Sequence, residues 1–374
     1  MARIHFIYFD AGGGHRSASR ALREVVERQG RPWEVRLVNL QELLDPLDVF
    51  RKVTGLRLQE IYNLLLEKGW TLGAPQLAVG MRAVIRLYHG QQVRMLREFW
   101  QREQPDMVVS VVPNFNRAIL ESLDGAVPFV TILTDIADWP PHFWIERQQQ
   151  YLICGSDRAL QQARAMGYDD ASAFQVSGMI LNPRFYDEVE KPPEKLPGFA
   201  PELPTGLVMF GGHGAPVMYD IVRRLEDHPV QLIAIAGRNA KLAARLRSLP
   251  RRRHAMHVED FTTEVPRFMR AADFFIGKPG PGSISEALAM KLPVIVERNA
   301  WTLPQERYNT EWVRDAGLGI VVPSFRQIGR AVDELLLPEN YQRFRANAAA
   351  QRNQAVFEIP DILDRILGSW RKPH

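Results

Sequence analysis

The chain has 374 residues, 46% hydrophobic and 24% charged, close to globular averages, which excludes disordered, collagenous and coiled-coil classes and leaves room for two domains with separate cores. A single cysteine, Cys154, excludes a disulfide framework or a multi-cysteine metal site and fits a reducing compartment. The net charge of +4 is uneven: residues 51–102 hold nine Lys and Arg against three Glu, so that segment carries +6 and the rest of the chain −2.

No stretch reaches the roughly 20 apolar residues that span a bilayer. The first apolar run, Ile4 to Phe9, is cut at once by Asp10 and three glycines, so neither a membrane-spanning helix nor a secretion signal is expected. That run reads as a buried strand, followed by a glycine turn and a helix from near His15 to Gly30. Apolar, β-branched runs at 34–38, 106–112 and 128–133, with helix-length segments between them, predict a parallel sheet covered on both faces. Five prolines within 191–204 cannot enter a central strand or a helix interior and place a linker there. Beyond it, strands are expected at 206–210, 231–235, 273–276 and 293–296, with helices starting near Gly214, Asn239, Thr263 and Ser283. The expected division is an N-terminal domain over 1–190, the linker, a second domain over 205–355 and a final helix within 356–374 that is free to pack back on the first domain.

The first turn reads Asp10-Ala11-Gly12-Gly13-Gly14-His15-Arg16-Ser17. Glycines between strand and helix allow close approach to a ligand, and a helix N-terminus favours negative charge. A dinucleotide fingerprint would need glycine where Ser17 stands and an acid at the end of the second strand, which closes Val38-Asn39-Leu40, so an NAD(P)-dependent oxidoreductase is disfavoured. His15 lies where a helix N-terminus disfavours imidazolium, which suits a proton acceptor as well as a plain capping side chain. In the second half, Lys278-Pro279-Gly280-Pro281-Gly282-Ser283-Ile284-Ser285-Glu286 opens a helix whose amides at 282–284 can receive a diphosphate, with Glu286 expected in the first turn. Gly211-Gly212-His213-Gly214 and Gly237-Arg238-Asn239 end neighbouring strands, so three glycine turns would ring one crevice at the carboxyl edge of a sheet.

These motifs, with Pro304-Gln305-Glu306-Arg307-Tyr308-Asn309, resemble glycosyltransferase family 28, and within it the bacterial relatives of monogalactosyldiacylglycerol synthase; the peptidoglycan N-acetylglucosaminyltransferase is a more distant likeness. The resemblance implies an α/β GT-B fold, two Rossmann-like doubly wound domains facing across a cleft, and inverting, metal-independent transfer of a hexose from a UDP-sugar to a lipid hydroxyl such as that of diacylglycerol. It assigns His15 and Asp135 to catalysis, Glu286 to the ribose, and Gly280, Gly282, Ser283 and Ile284 to the phosphates. Gln305 and Glu306 fall to the donor sugar, and Phe261 to the uracil, while Gly14, Gly212, His213, Arg238 and Lys278 complete the expected binding set. No metal and no cofactor beyond the donor are expected. Where plant synthases resemble His-Pro-Thr-Trp-Phe-His after the Thr-Asp pair, this chain has Trp139-Pro140-Pro141-His142-Phe143-Trp144, and His142 is the candidate replacement for one of those histidines.

The basic segment 51–102 also carries Leu56, Leu58, Trp70, Ile85, Phe99 and Trp100, the ingredients of a helix lying on an anionic bilayer or of an amphipathic core helix with a solvated basic face. With a lipid acceptor, the first reading places the enzyme in the cytoplasm, at the inner face of the membrane. Cys154 reads as a small buried hydrophobe. The Arg251-Arg252-Arg253-His254 cluster reads as a solvated loop, and no nucleic-acid partner is expected. The alternatives left open are a UDP-N-acetylglucosamine transferase acting on another lipid-linked acceptor, and a non-catalytic sugar-nucleotide or lipid-binding protein of the same fold.

Overall fold

A computed structural model describes residues 1–10, 13–45, 87–139, 142–187, 196–250 and 253–370. Among them the chain forms two compact units, the first from residues 1–183 and 353–370, the second from 184–352.

The first unit carries β1 (Ala2–Tyr8), α1 (Gly14–Arg28), β2 (Trp33–Asn39), α2 (Leu40–Leu44), α3 (His89–Glu103), β3 (Met107–Ser110), α4 (Asn116–Leu123), β4 (Phe129–Ile132), β5 (Tyr151–Cys154), α5 (Asp157–Ala165) and β6 (Ala173–Gln175). All its strands run parallel in the order β2-β1-β3-β4-β5-β6, so the strand order reverses between β1 and β3. Strands β3 and β4 are buried along their whole length, which is why they read as unbroken apolar runs rather than alternating ones. One core cluster gathers Ile7, Leu96, Trp100, Ile119 and Phe129, and a second Leu133, Trp144, Leu152 and Leu160. Fully buried side chains of this size stabilise the fold by about 1.5–3 kcal/mol each relative to exposure.

The final helix, α13 below (Ala355–Ser369), belongs to this unit and packs against α1. Arg31 is paired with both Asp361 and Asp364, and Glu358 accepts from the Ser177 amide at 2.7 Å.

The second unit carries β7 (Thr205–Met209), α6 (Val217–Arg224), β8 (Gln231–Ile235), α7 (Ala240–Arg247), β9 (Met256–Glu259), α8 (Val265–Arg270), β10 (Phe274–Gly277), α9 (Pro281–Ala289), β11 (Val294–Glu297), α10 (Pro304–Asp315), β12 (Gly319–Val322), α11 (Ile328–Leu336) and α12 (Pro338–Ala350); α13 then closes the chain. Its sheet is also parallel, in the order β12-β11-β10-β7-β8-β9, and reverses between β7 and β10. Val208, Ile221, Leu232, Phe274, Ile295 and Val332 meet in its core. Crevices at such reversal points, outside the carboxyl ends of the strands, are where open α/β sheets bind ligands.

Strands β5, β6, β9 and β12 extend the two sheets beyond the strands expected from sequence. The bilayer reading of Phe99 and Trp100 is corrected: both are buried in the first unit's core on α3, with Trp100 Nε1 donating to Ser122 Oγ at 2.8 Å, while Arg94, Arg97 and Arg102 of the same helix are exposed. Residues 51–86 of the basic segment, including Leu56, Leu58, Trp70 and Ile85, lie outside the described residues, as do Arg251 and Arg252. Cys154 is buried, and burial pushes its thiol up to about 12. Among the described residues no helix is long and apolar enough to cross a membrane.

Candidate active site

In the first unit the residues of interest lie at the carboxyl ends of β1, β3 and β4. His15 is the second residue of α1, whose N-cap is Gly13. It is half-buried; its Nδ1 lies 3.1 Å from Thr134 Oγ1, and its ring also bonds the carbonyl of Val111. Burial lowers its pKa to about 4, against a small opposing effect of that carbonyl. The neutral imidazole expected from the helix terminus is therefore produced mainly by desolvation.

Asp135 follows Thr134 and accepts from Trp144 Nε1 at 2.8 Å. Trp144 is fully buried, and its ring centroid lies 5.9 Å from that of His15. What fixes Trp144 is Asp138, whose carboxylate accepts from the Trp144 amide at 2.7 Å and the His142 amide at 2.9 Å. Gln162 grips the main chain of Asp138 from α5, accepting from its amide and donating to its carbonyl. Burial raises the pKa of Asp138, opposed by the amides of residues 142–145. Asp138, Trp144 and Thr134 thus organise this site although sequence reasoning gave them no role. The available signal was an acid in the loop Asp135-Ile136-Ala137-Asp138 with no basic residue nearby in sequence to pair it. His142 is exposed with a left-handed φ of 64°, and its Nδ1 lies 3.3 Å from the Ile145 carbonyl. Gly14 opens α1 with open space around it. Asn39, at the end of β2, spends its side chain capping α2, as befits a strand end without a ribose-binding acid.

In the second unit the three glycine turns interlock. A Cβ on Gly214 would lie 2.4 Å from the Ala236 carbonyl oxygen, and one on Gly237 2.4 Å from that of Gly212. Both glycines have positive φ, 61° and 63°, so neither position accepts another residue without moving backbone. The Arg238 amide donates to Gly212 O at 2.9 Å, and the Arg238 guanidinium lies over the Phe261 ring at 4.4 Å from its centroid. Phe261 is 50% exposed. His213, between Gly212 and Gly214, is half-buried.

Lys278 ties the turn after β7 to the turn after β10. Its Cε lies 3.8 Å from a Cβ position on Gly211 and 3.3 Å from one on Gly280, and its Nζ donates to Glu306 Oε1 at 3.0 Å. Glu306 is buried in the first turn of α10 beside half-buried Gln305. Helix α9 starts at Pro281, not Ser283, with Gly280 as N-cap; proline suits the first helical position because its missing N–H is an orphan there anyway. Two expectations change with it. The Ile284 amide is used inside the helix, donating to Gly280 O at 3.1 Å, which leaves the amides of Gly282 and Ser283 as the ones without an intrahelical partner. Glu286 falls in the second turn rather than the first, half-buried, with its carboxyl pushed up to about 7 by burial. The structure thus gathers Gly212, Arg238 and Phe261 into one chain of contacts and Lys278, Gly280 and Glu306 into another, linked by the short turn from Gly211 to Gly212.

Comparison with known proteins agrees with this arrangement. Residues 207–366 match the glycosyltransferase family 28 C-terminal domain. The chain is 28% identical over 405 residues to the chloroplastic monogalactosyldiacylglycerol synthase of Spinacia oleracea, covering 98% of this chain and 72% of the relative. Among solved structures it is similar to Acinetobacter baumannii MurG, with a TM-score of 0.63 at 10% identity and coverage of 98% and 100% of the two chains. It is similar to S. aureus MnaA solved with UDP, with a TM-score of 0.63 at 15% identity and coverage of 100% and 99%. The fold is that of the GT-B glycosyltransferases. With the glycosyltransferase family 28 C-terminal domain spanning the turns after β7, β8 and β10, and the synthases matching along nearly its whole length, the chain carries a family 28 C-terminal domain over residues 207–366 and is a glycosyltransferase.

Proposed function

We propose that the protein transfers a hexose from a UDP-sugar, UDP-galactose or UDP-glucose in preference, to the hydroxyl of a lipid such as diacylglycerol, with inversion and without a metal ion. The observation that carries the donor assignment is the convergence on Lys278, whose side chain lies between the turns after β7 and β10 at the head of α9. An ammonium and fixed backbone amides are what a departing diphosphate requires, because they meet its charge without rearranging. Phe261 with Arg238 stacked on it offers a flat platform for the uracil. Glu286 serves the ribose, and Gln305 and Glu306 the hexose.

The acceptor chemistry falls to the first unit. His15 stays uncharged down to about pH 4, so its lone pair is available at neutral pH to take the proton of the incoming hydroxyl. The acceptor oxygen bonds to the anomeric carbon as the bond to the UDP oxygen breaks, and the configuration inverts. Such general-base help contributes about 10²–10⁴-fold. Asp135, held by the Trp144 ring that lies beside His15, has the second catalytic role, offsetting the charge of the imidazolium. The basic segment 51–102 attaches the enzyme to the anionic surface in which the lipid resides.

The test is a panel of UDP-galactose, UDP-glucose and UDP-N-acetylglucosamine, each with diacylglycerol in anionic vesicles, with and without EDTA. A glycolipid formed from a UDP-hexose, insensitive to EDTA and lost in His15→Ala, is the expected result. Turnover of ADP- or TDP-sugars but not UDP-sugars overturns the donor assignment. Asp135→Asn is expected to retain partial activity; complete loss would make Asp135 the base.

A further inference from the structure

We propose that Asn309 is a positioning residue for the diphosphate-binding turn, an inference that rests on the UDP-sugar reading above. Glu306 and Asn309 stand three residues apart on α10, on one face of the helix, and grip the same turn from that face. Glu306 takes the Lys278 ammonium at 3.0 Å, and Asn309 Nδ2 donates to the Pro279 carbonyl at 2.8 Å. Asn309 is completely buried, yet its Oδ1 has no hydrogen-bond partner among the described residues. A buried amide with an unmet acceptor costs the fold stability, and an apolar side chain of similar shape would avoid that cost. What an apolar side chain would lack is a donor for Pro279.

The carbonyl that Asn309 holds belongs to the peptide joining Pro279 to Gly280, the N-cap of α9, while the Gly280 amide donates to Lys278 O at 2.8 Å. Both ends of that short segment are thereby fixed, and Pro281 allows a single φ just after it. The orientation of the Pro279–Gly280 peptide therefore sets where the Gly282 and Ser283 amides face. Asn309 acts through the turn, on the phosphates alone, and leaves the nucleoside platform at Phe261 and Arg238 untouched.

That division gives the experiment. The full chain and its Asn309→Leu and Asn309→Ala variants are titrated with UDP by calorimetry and with uridine by ligand-observed NMR, below melting temperatures measured for each. In both variants UDP affinity is expected to fall by about fivefold or more, corresponding to about 1 kcal/mol, while uridine affinity stays at the wild-type value. A parallel loss for both ligands indicates general loosening of the unit and overturns the proposal, as does unchanged UDP affinity in both variants. A wild-type chain that binds no UDP overturns the donor reading itself, and this inference with it.

Discussion

Replacing Asp138 by asparagine tests how the loop that carries Asp135 and Trp144 is held together. The Asp138 carboxylate is 3% exposed and accepts from two amides, Trp144 at 2.7 Å and His142 at 2.9 Å. Asparagine has one acceptor oxygen, so Asp138→Asn keeps one of these bonds and turns an NH₂ group against the other amide. A hydrogen bond to a charged group is worth about 1.5–3 kcal/mol, and a buried donor left unmet costs about 1–3 kcal/mol. These overlap, and the neutral side chain escapes the desolvation that raises the Asp138 pKa, so a net loss of about 2–3 kcal/mol is expected. For a unit of this size the melting point should fall by about 5–10 °C. The larger effect is on turnover, because Trp144 holds Asp135 and packs beside His15. We expect kcat to fall about tenfold or more, since small displacements of reacting groups are costly, with donor KM unchanged because the residues proposed to hold the donor belong to the second unit. Thermal melts and initial rates at varied donor concentration read both quantities. An unaltered melting point, or a loss confined to donor KM, would refute the reasoning.

Two more outcomes follow from the geometry. Because the folded pKa of His15 is lowered to about 4 from 6.5, the unfolded chain binds the extra proton between those values, so the contribution is full above pH 6.5 and lost as pH falls toward 4. Urea unfolding across that range should show His15→Gln with a shallower pH dependence than wild type, though not a flat one, since His5 is also lowered to about 4 by burial and by Arg36 and Arg3; an identical slope would contradict the burial of the ring. Gly237→Ala meets the Gly212 carbonyl at 2.4 Å in a left-handed conformation that alone costs about 1–2 kcal/mol. It should lower both the melting temperature and UDP affinity, and calorimetry giving wild-type UDP affinity would separate the turn from the donor site.

Much of the framework was readable because parallel strands buried on both faces leave unbroken apolar runs, as at Gln231–Ile235, whose bounds were read from sequence as they stand. The strands that escaped are short: Ala173–Gln175 has three residues, of which Ala173 alone is buried, so no run distinguishes it from a loop. The glycine turns of the second unit were visible through composition alone. Their interlock did not show, because a contact between Gly237 and Gly212, or between Asn309 and Pro279 thirty residues away, leaves no local periodicity. Glu286 was placed a turn too early because the Pro-Gly-Pro-Gly run looks like loop, whereas Pro281 is the start of the helix. Asp138 was missed for a different reason: its partners are main-chain amides, which every residue type presents alike.

The attachment of α13 to α1 governs the order in which the molecule can mature on the ribosome. Residues 1–183 are made before α13, so the surface of α1 that α13 covers stays bare until residues 355–369 have been made, whereas the elements β7 to α12 of the second unit follow one another without interruption and can close as soon as they are released. The half that starts earliest therefore finishes last. A chain that stops short of Ala355 would carry a sticky flank into the cell, and loss of the tail should be seen as aggregation rather than as a modest drop in rate.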